Sequence, residues 1–280
     1  MQRPAAPECP PGLPSPEAKA RFDAARLLPR LRAKGNPPRV PGLDSLQACG
    51  LLLPAGTGCT SLGTSLGNLT NRSEASWYLG GQKHSVTFRH VRLTERPCAV
   101  MTVRDPYERL RSGFRYDSAH MRQVDYATLI SNYQRRRTLH ELLGAFRDPN
   151  APGHATVMDM YNHSVLHPTC HSDRDQCVRK RSLEKPMNVF LWSQSAYLLD
   201  DDDAGANAPS VHFVCTKTYA ASWQGLLADF GIDSRVPAAH ALSGRRPTSG
   251  ALPHDDADAW FVRNCLYPWD AYLTQHVCGG

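Results

Sequence analysis

Two short segments of the 280-residue chain carry the residue types that hold anions. The first is Pro54-Ala55-Gly56-Thr57-Gly58-Cys59-Thr60-Ser61-Leu62, a run of small residues whose backbone amides can converge on a negative group while the following helix adds its positive end. Gly56, Thr57, Gly58, Cys59, Thr60 and Ser61 are the candidate ligands there. No lysine precedes Thr60 or Ser61, so the run is not a Walker A loop, and by itself it reads equally as an ordinary strand-to-helix connection. The second segment is Thr102-Val103-Arg104-Asp105-Pro106-Tyr107-Glu108-Arg109-Leu110-Arg111-Ser112. Arg104 offers a planar charged fork at a strand end; Ser112 stands two helical turns on, in line with Glu108, so that both can address one phosphate. The competing reading pairs Arg104 with Asp105 at a helix terminus and gives it no ligand.

Between these segments lies Gly80-Gly81-Gln82-Lys83-His84-Ser85. A neutral imidazole can accept the proton of a hydroxyl as its oxygen attacks, which makes His84 the candidate base, with Lys83 a neighbouring cation and His90 and His163 next in line. The chain has 12 histidines, so any single one serves as readily on the surface or in the core. Its nine cysteines include no paired CxxC spacing, and no zinc site is expected. Cys170 and Cys177 can close a short disulfide loop or stay as thiols; His167 and His171 beside them leave a metal as a further alternative.

In their order and separation the two anion segments resemble the sulfotransferases that use 3′-phosphoadenosine 5′-phosphosulfate (PAPS), especially the Golgi carbohydrate branch. In that family the first loop, roughly Pro-Lys-x-Gly-Thr-Thr-Ser-Leu, holds the 5′-phosphosulfate, which implies this role for Gly58, Cys59, Thr60 and Ser61. The second, roughly Arg-Asp-Pro-x-x-Arg-x-x-Ser, holds the 3′-phosphate and implies Arg104 and Ser112. Trp192 to Leu198 is similar to the family's Gln-Ser-x-Tyr-Leu stretch, and Val214 to Tyr219 stands where its late strand meets a Thr-Glu turn. Ser243-Gly244-Arg245-Arg246 and Leu266 to Leu273 look like its closing loop and its Leu-Tyr-x-x-Asp ending, so the resemblance covers residues 49 to 273.

The resemblance implies a P-loop NTPase-like α/β fold of three layers, a central parallel sheet flanked by helices. It also implies transfer of a sulfuryl group from PAPS, without a metal, to a hydroxyl of a glycan or another hydroxyl-bearing small molecule, with His84 as base. One departure stands out. The family's loop lysine is replaced by Ala55 or Gly56, so the cation that steadies the leaving phosphate must come from Lys83, Arg89, Arg245 or Arg246. Without such a substitute the chain is an inactive descendant that binds the nucleotide or a glycan. A P-loop kinase is a third reading, opposed by the missing Gly-Lys-Ser/Thr ending.

Three apolar runs must position these residues: Cys49 to Leu53, Cys98 to Val103 and Val211 to Cys215. Each is long enough for a buried strand, and each is followed by a turn and a helix, the helices beginning near Thr60, Tyr107 and Tyr219. Gly231 closes the third. Strands that alternate with helices in this way form a parallel sheet whose ligands bind at the carboxyl ends, here after Leu53, Val103 and Cys215, with adenine near Thr216 to Tyr219. Ser15-Pro16-Glu17 opens a helix toward Arg32, Asp255-Asp256 opens a last amphipathic helix that continues to Leu273, and loops in 120–190 form the acceptor pocket.

Composition sets the outer bounds. Hydrophobic residues at 41% and charged residues at 21% support one folded domain over 16–280, whereas prolines at 4, 7, 10, 11 and 14 make 1–15 a disordered lead-in. The net charge of +6 suits an anionic ligand and is too small to call for nucleic acid. No run of eighteen apolar residues and no hydrophobic N-terminal segment occurs, which predicts a soluble, cytoplasmic chain, or a Golgi lumenal one if an anchor is missing. Three glycosylation sequons begin at Asn68, Asn71 and Asn162 and matter only on the secretory route.

Overall fold

The computed structural model describes residues 8–24, 42–73, 77, 86–120, 138–165, 191–199, 209–232, 238 and 254–279. Its helices in chain order begin with α1 (Pro16–Ala24), α2 (Leu43–Ala48), α3 (Cys59–Thr70), α4 (Phe88–Leu93) and α5 (Pro106–His120). They continue with α6 (Leu139–Arg147), α7 (His154–Ser164), α8 (Tyr219–Asp229), α9 (Asp256–Phe261) and α10 (Pro268–Cys278). The strands are β1 (Gly50–Leu52), β2 (Cys98–Val103) and β3 (Ser210–Cys215), which lie parallel in the order β1-β2-β3. Leu51 pairs with Val100, and Val100 with His212.

The strand sequences lack a polar face because helices cover both sides of the sheet. Leu51, Leu53, Val100 and Val214 share one apolar cluster with Leu62 and Leu66 of α3 and Trp223, Leu226 and Leu227 of α8. Leu52, Ala99, Met101 and Val103 belong to a second, with Phe88 and Val91 of α4 and Leu273 of α10. Side chains that alternate along each strand thus feed two separate cores. A third cluster is helical and joins α1, α5, α6 and α7 to α9 and the Val262–Leu266 segment.

Several expectations change. The interval read as loops contains α6 and α7. Thr138 caps α6 by accepting from Glu141 N at 3.2 Å while Glu141 Oε2 accepts from Thr138 N at 2.8 Å, a reciprocal box ahead of the buried Leu139, Leu142, Leu143 and Phe146. The last helix is two: α9 loosens into a π turn over Val262–Leu266, where Tyr267 N donates to Val262 O, and α10 starts afresh with Pro268 in its first turn. Proline has no N–H to carry a helix through that point.

The lead-in differs from the disordered stretch expected, from Cys9 onward. A Cys9–Cys265 disulfide holds it to the π turn, and Leu13 and Ser15 are buried. Of the helix expected to reach Arg32, α1 covers Pro16–Ala24, and 25–32 lie outside the described residues. Two more disulfides join Cys49 to Cys98, at the starts of β1 and β2, and Cys215 to Cys278, at the ends of β3 and α10. Cys170 and Cys177 lie outside the described residues. Among the described residues, no helix is long and apolar enough to cross a membrane.

Candidate functional site

Because the strands are parallel, the loops after β1, β2 and β3 emerge along one edge, and hydrogen bonds join all three. The first loop turns at Pro54, whose carbonyl accepts from Thr57 N at 3.3 Å. Gly56 and Gly58 hold φ of 79° and 85°, the left-handed region that a side chain disfavours. A Cβ on Gly58 would lie in ordinary contact with Thr216, 3.4 Å from its Oγ1, so the backbone angle is what favours glycine there. The Thr216 hydroxyl donates to Thr57 O at 2.7 Å and also lies 3.0 Å from Val103 O, tying the third loop to the first two. Thr57 and Thr102 hydroxyls meet at 2.6 Å beneath this junction. Gly58 is the N-cap of α3 and brings no capping side chain, and the first turn of α3 has no acidic residue. An anion there meets a helix start without a competing carboxylate.

Arg104 crosses from the second loop to the first, and its Nη1 donates to Gly56 O at 3.1 Å. The alternative pairing with Asp105 is not what forms. Asp105 Oδ1 instead caps α5, accepting from Tyr107 N and Glu108 N at 3.1 Å, while Oδ2 accepts from Arg263 Nε at 2.7 Å. The start of α5 is therefore already occupied by a carboxylate, and the anion-holding capacity of the second motif rests on the Arg104 side chain. Ser112 is half-buried further along α5.

Arg104 is held by a buried support that composition and spacing did not single out. Gln194, fully buried, accepts from Arg104 N through Oε1 at 2.9 Å and donates from Nε2 to Arg104 O at 2.7 Å. Thr274 of α10 donates to the same carbonyl at 3.2 Å. Gln194 is in turn fixed by Asp270, whose carboxylate accepts from Ser193 Oγ and from Gln194 N and Ser195 N at 2.9 Å each. Arg109 Nη2 approaches that carboxylate at 3.5 Å, both side chains being wholly buried, and its guanidinium stacks over Tyr267. Arg104, Gln194, Asp270 and Arg109, which come from distant parts of the chain, thus meet in one network beneath the loop edge.

Charges of both signs surround Arg104, with Glu108 and Asp105 set against Arg111 and Arg115. Burial pushes the Arg104 guanidinium below its ordinary value, Glu108 opposes this, and Arg111 and Arg115 add to it as like charges. Glu108 is drawn toward Arg111 at 2.6 Å and Arg104 at 3.9 Å, which compensates the nearest carboxylate. Burial also raises the Tyr219 hydroxyl to about 12; it lies 3.0 Å from Ser65 Oγ and joins α8 to α3.

The structure brings together Gly56, Thr57, Gly58 and Arg104 and sets Cys59, Thr60 and Ser61 at the start of α3. The Thr57 side chain faces inward, 1% exposed, and serves the loop's own turn rather than presenting its hydroxyl to a ligand. Cys59 is likewise buried. Lys83, His84, Arg245 and Arg246 lie outside the described residues. His90 works as a cap, since its Nδ1 accepts from Thr87 N at 3.1 Å, and Arg89 sits half-buried in α4. Ala55 is 3% exposed and Gly56 beside it is half-buried.

Among the described residues, one group could suit a metal: His140, Asp255 and Asp258 bring ligand atoms within 4.8 Å of one another. Arg147 Nη2 already lies 2.7 Å from Asp258 Oδ1, and Asp255 caps α9, so the cluster reads as the anchorage of a helix start. The chain was compared with protein-family models, curated proteins and solved structures, and none of the three comparisons finds a match.

Proposed function

We propose that this protein binds 3′-phosphoadenosine nucleotides across the edge formed by the first and second loops and transfers a sulfuryl group from PAPS to an acceptor hydroxyl, on a glycan or another small molecule. The observation that carries this reading is the contact between Arg104 and Gly56 O, which puts the two anion motifs within one side chain's reach. A nucleotide with phosphates at both ends of its ribose needs two anion pockets that close together. The parallel strands and the helices on both sheet faces fit a P-loop NTPase-like fold of three layers. In this reading the loop amides receive the 5′-phosphosulfate, and Arg104, released from Gly56 O, takes the 3′-phosphate with Ser112. His84 removes the acceptor proton as its oxygen attacks sulfur in line with the departing phosphate, and Lys83, Arg89, Arg245 or Arg246 stands in for the missing lysine.

Calorimetry with 3′-phosphoadenosine 5′-phosphate and ATP, together with transfer of labelled sulfate from PAPS to polysaccharides, lipids and phenols, tests the proposal. Arg104→Ala removes a charge-assisted contact of about 1.5–3 kcal/mol, so nucleotide affinity should drop roughly ten- to hundred-fold. His84→Ala should keep binding and lose about 100-fold or more in turnover. Equal affinity for ATP, or an Arg104→Ala protein that binds as before, overturns the reading. A second reading, a nucleotide binder without transferase activity, is favoured by the absence of a lysine at Ala55 or Gly56, where the family's loop carries one; binding with no transfer to any acceptor would establish it.

A further inference from the structure

Six of the seven cysteines in the described residues are paired, across sequence separations of 256, 49 and 63. Disulfides that bridge the sheet and the chain's distant segments form and last in oxidising compartments. Those compartments also attach glycans to Asn-x-Ser/Thr triplets, so the sequons bear on this protein's chemistry.

Two of the three sequons fall together at the far end of α3. Asn68 is exposed in its last turn; Asn71 is exposed just past it, with φ 51° and ψ 38°, and the Asn71 and Arg72 amides donate to Gly67 O. Arg72 and Ser73 are exposed as well. Beside them lies an open polar hollow lined by Thr64, Gly67, Asn68, Asn71 and Arg72, where a sugar displaces no packed side chain. At Asn162 the asparagine is exposed on α7, but its sequon serine, Ser164, is fully buried. The opposite end of α3 starts at the anion loop. Twelve residues of helix separate the ends by about 18 Å, so a glycan here stands clear of the crevice.

We infer that the C-terminal end of α3 is an N-glycosylation site, used through Asn68, Asn71 or both. The co-reactant is an oligosaccharide joined to a lipid pyrophosphate. The asparagine Nδ2 forms a bond to the sugar's anomeric carbon, the carbon–oxygen bond to pyrophosphate breaks, the amide proton passes to a base of the transferring enzyme, and the lipid pyrophosphate leaves. Nothing is oxidised or reduced. The inference stands whether or not PAPS is the ligand of the crevice.

The test uses the full chain isolated from the cells that make it. It is treated in heavy-oxygen water with a peptide:N-glycosidase that accepts core-fucosylated chains, then mapped by mass spectrometry without reduction. Asn68 or Asn71 should convert to labelled aspartate, and the Cys9–Cys265, Cys49–Cys98 and Cys215–Cys278 linked peptides should be present. An Asn68→Gln, Asn71→Gln protein from the same cells should lose the corresponding glycan mass; if it is not recovered, Thr70→Val with Ser73→Ala removes both sequons and leaves the asparagines in place. Recovery of the 68–73 peptide wholly unconverted, or label confined to Asn162, overturns the inference.

Discussion

Gln194→Ala tests how the crevice is built. The side chain is fully buried, and its amide makes both of its bonds to Arg104, at 2.9 Å to N and 2.7 Å to O. After truncation, Arg104 O keeps Thr274 Oγ1 at 3.2 Å, while Arg104 N–H loses the acceptor Gln194 supplied. A stranded buried donor costs about 1–3 kcal/mol and a hydrogen bond with a substitute partner about 1 kcal/mol, so the loss should be roughly 2–4 kcal/mol. Urea unfolding measures this, and calorimetry with 3′-phosphoadenosine 5′-phosphate measures the consequence for Arg104, an affinity several-fold weaker. Gln194→Glu sharpens the test. A protonated carboxyl reproduces the amide's donor and acceptor, whereas an ionised one turns an uncompensated charge on Arg104 O. Burial raises such a folded-state pKa, so stability should be present at acid pH and lost as pH rises through that value. A change below about 0.5 kcal/mol in Gln194→Ala, or lowered stability with unaltered nucleotide affinity, would refute the view that Gln194 positions Arg104.

Other consequences can be measured alongside. Asp270→Asn leaves the buried Arg109 without its charge partner and weakens the three bonds that fix 193–195, so the protein should lose about 3–5 kcal/mol; an unfolding midpoint near the parent's argues against the network. Joint replacement of Cys49 and Cys98 by alanine should lower stability by about 2–4 kcal/mol in denaturant titrations, and no change would mean the bond does not constrain the sheet. Asp255 is held below the ordinary carboxyl range first by the Asp258 N–H, which outweighs the opposing desolvation, and then by His140, the Ala257 N–H and Arg147. Its contribution is therefore present above the ordinary carboxyl pKa and lost as pH falls through the depressed folded value. Asp255→Asn keeps a capping oxygen and should flatten that acid-side dependence in a pH series of unfolding midpoints.

The sheet is readable because each strand is a short, mainly apolar run bounded by turn residues. Cys98 to Val103 matches β2 residue for residue, and the helices after the first and third runs start within a residue of where the turns put them. A lone polar residue in such a run, Thr102, was the available sign that β2 ends against another polar group, which is the Thr57 hydroxyl. The Thr138-x-x-Glu141 box and the Leu139, Leu142, Leu143, Phe146 spacing carry the signature of α6 within an interval whose composition otherwise suggests loops. Pro268 similarly marks the start of α10, although the apolar pattern runs on either side of it. The Arg109–Asp270 pair joins residues 161 apart, and Gln194 reaches back 90 residues to Arg104, so neither leaves a local period. Cysteine spacing cannot dictate that Cys9 chooses Cys265.

That bond closes residues 9 through 265 into a covalent ring. A protease that cuts the backbone once between β2 and β3 therefore sheds nothing: the piece bearing β1 and β2 stays fastened to the piece bearing β3 and α10. The three loops of the crevice remain parts of one molecule after such a nick. They part company only when a reductant arrives as well, so ligand binding should outlast cleavage and fail under cleavage with reduction.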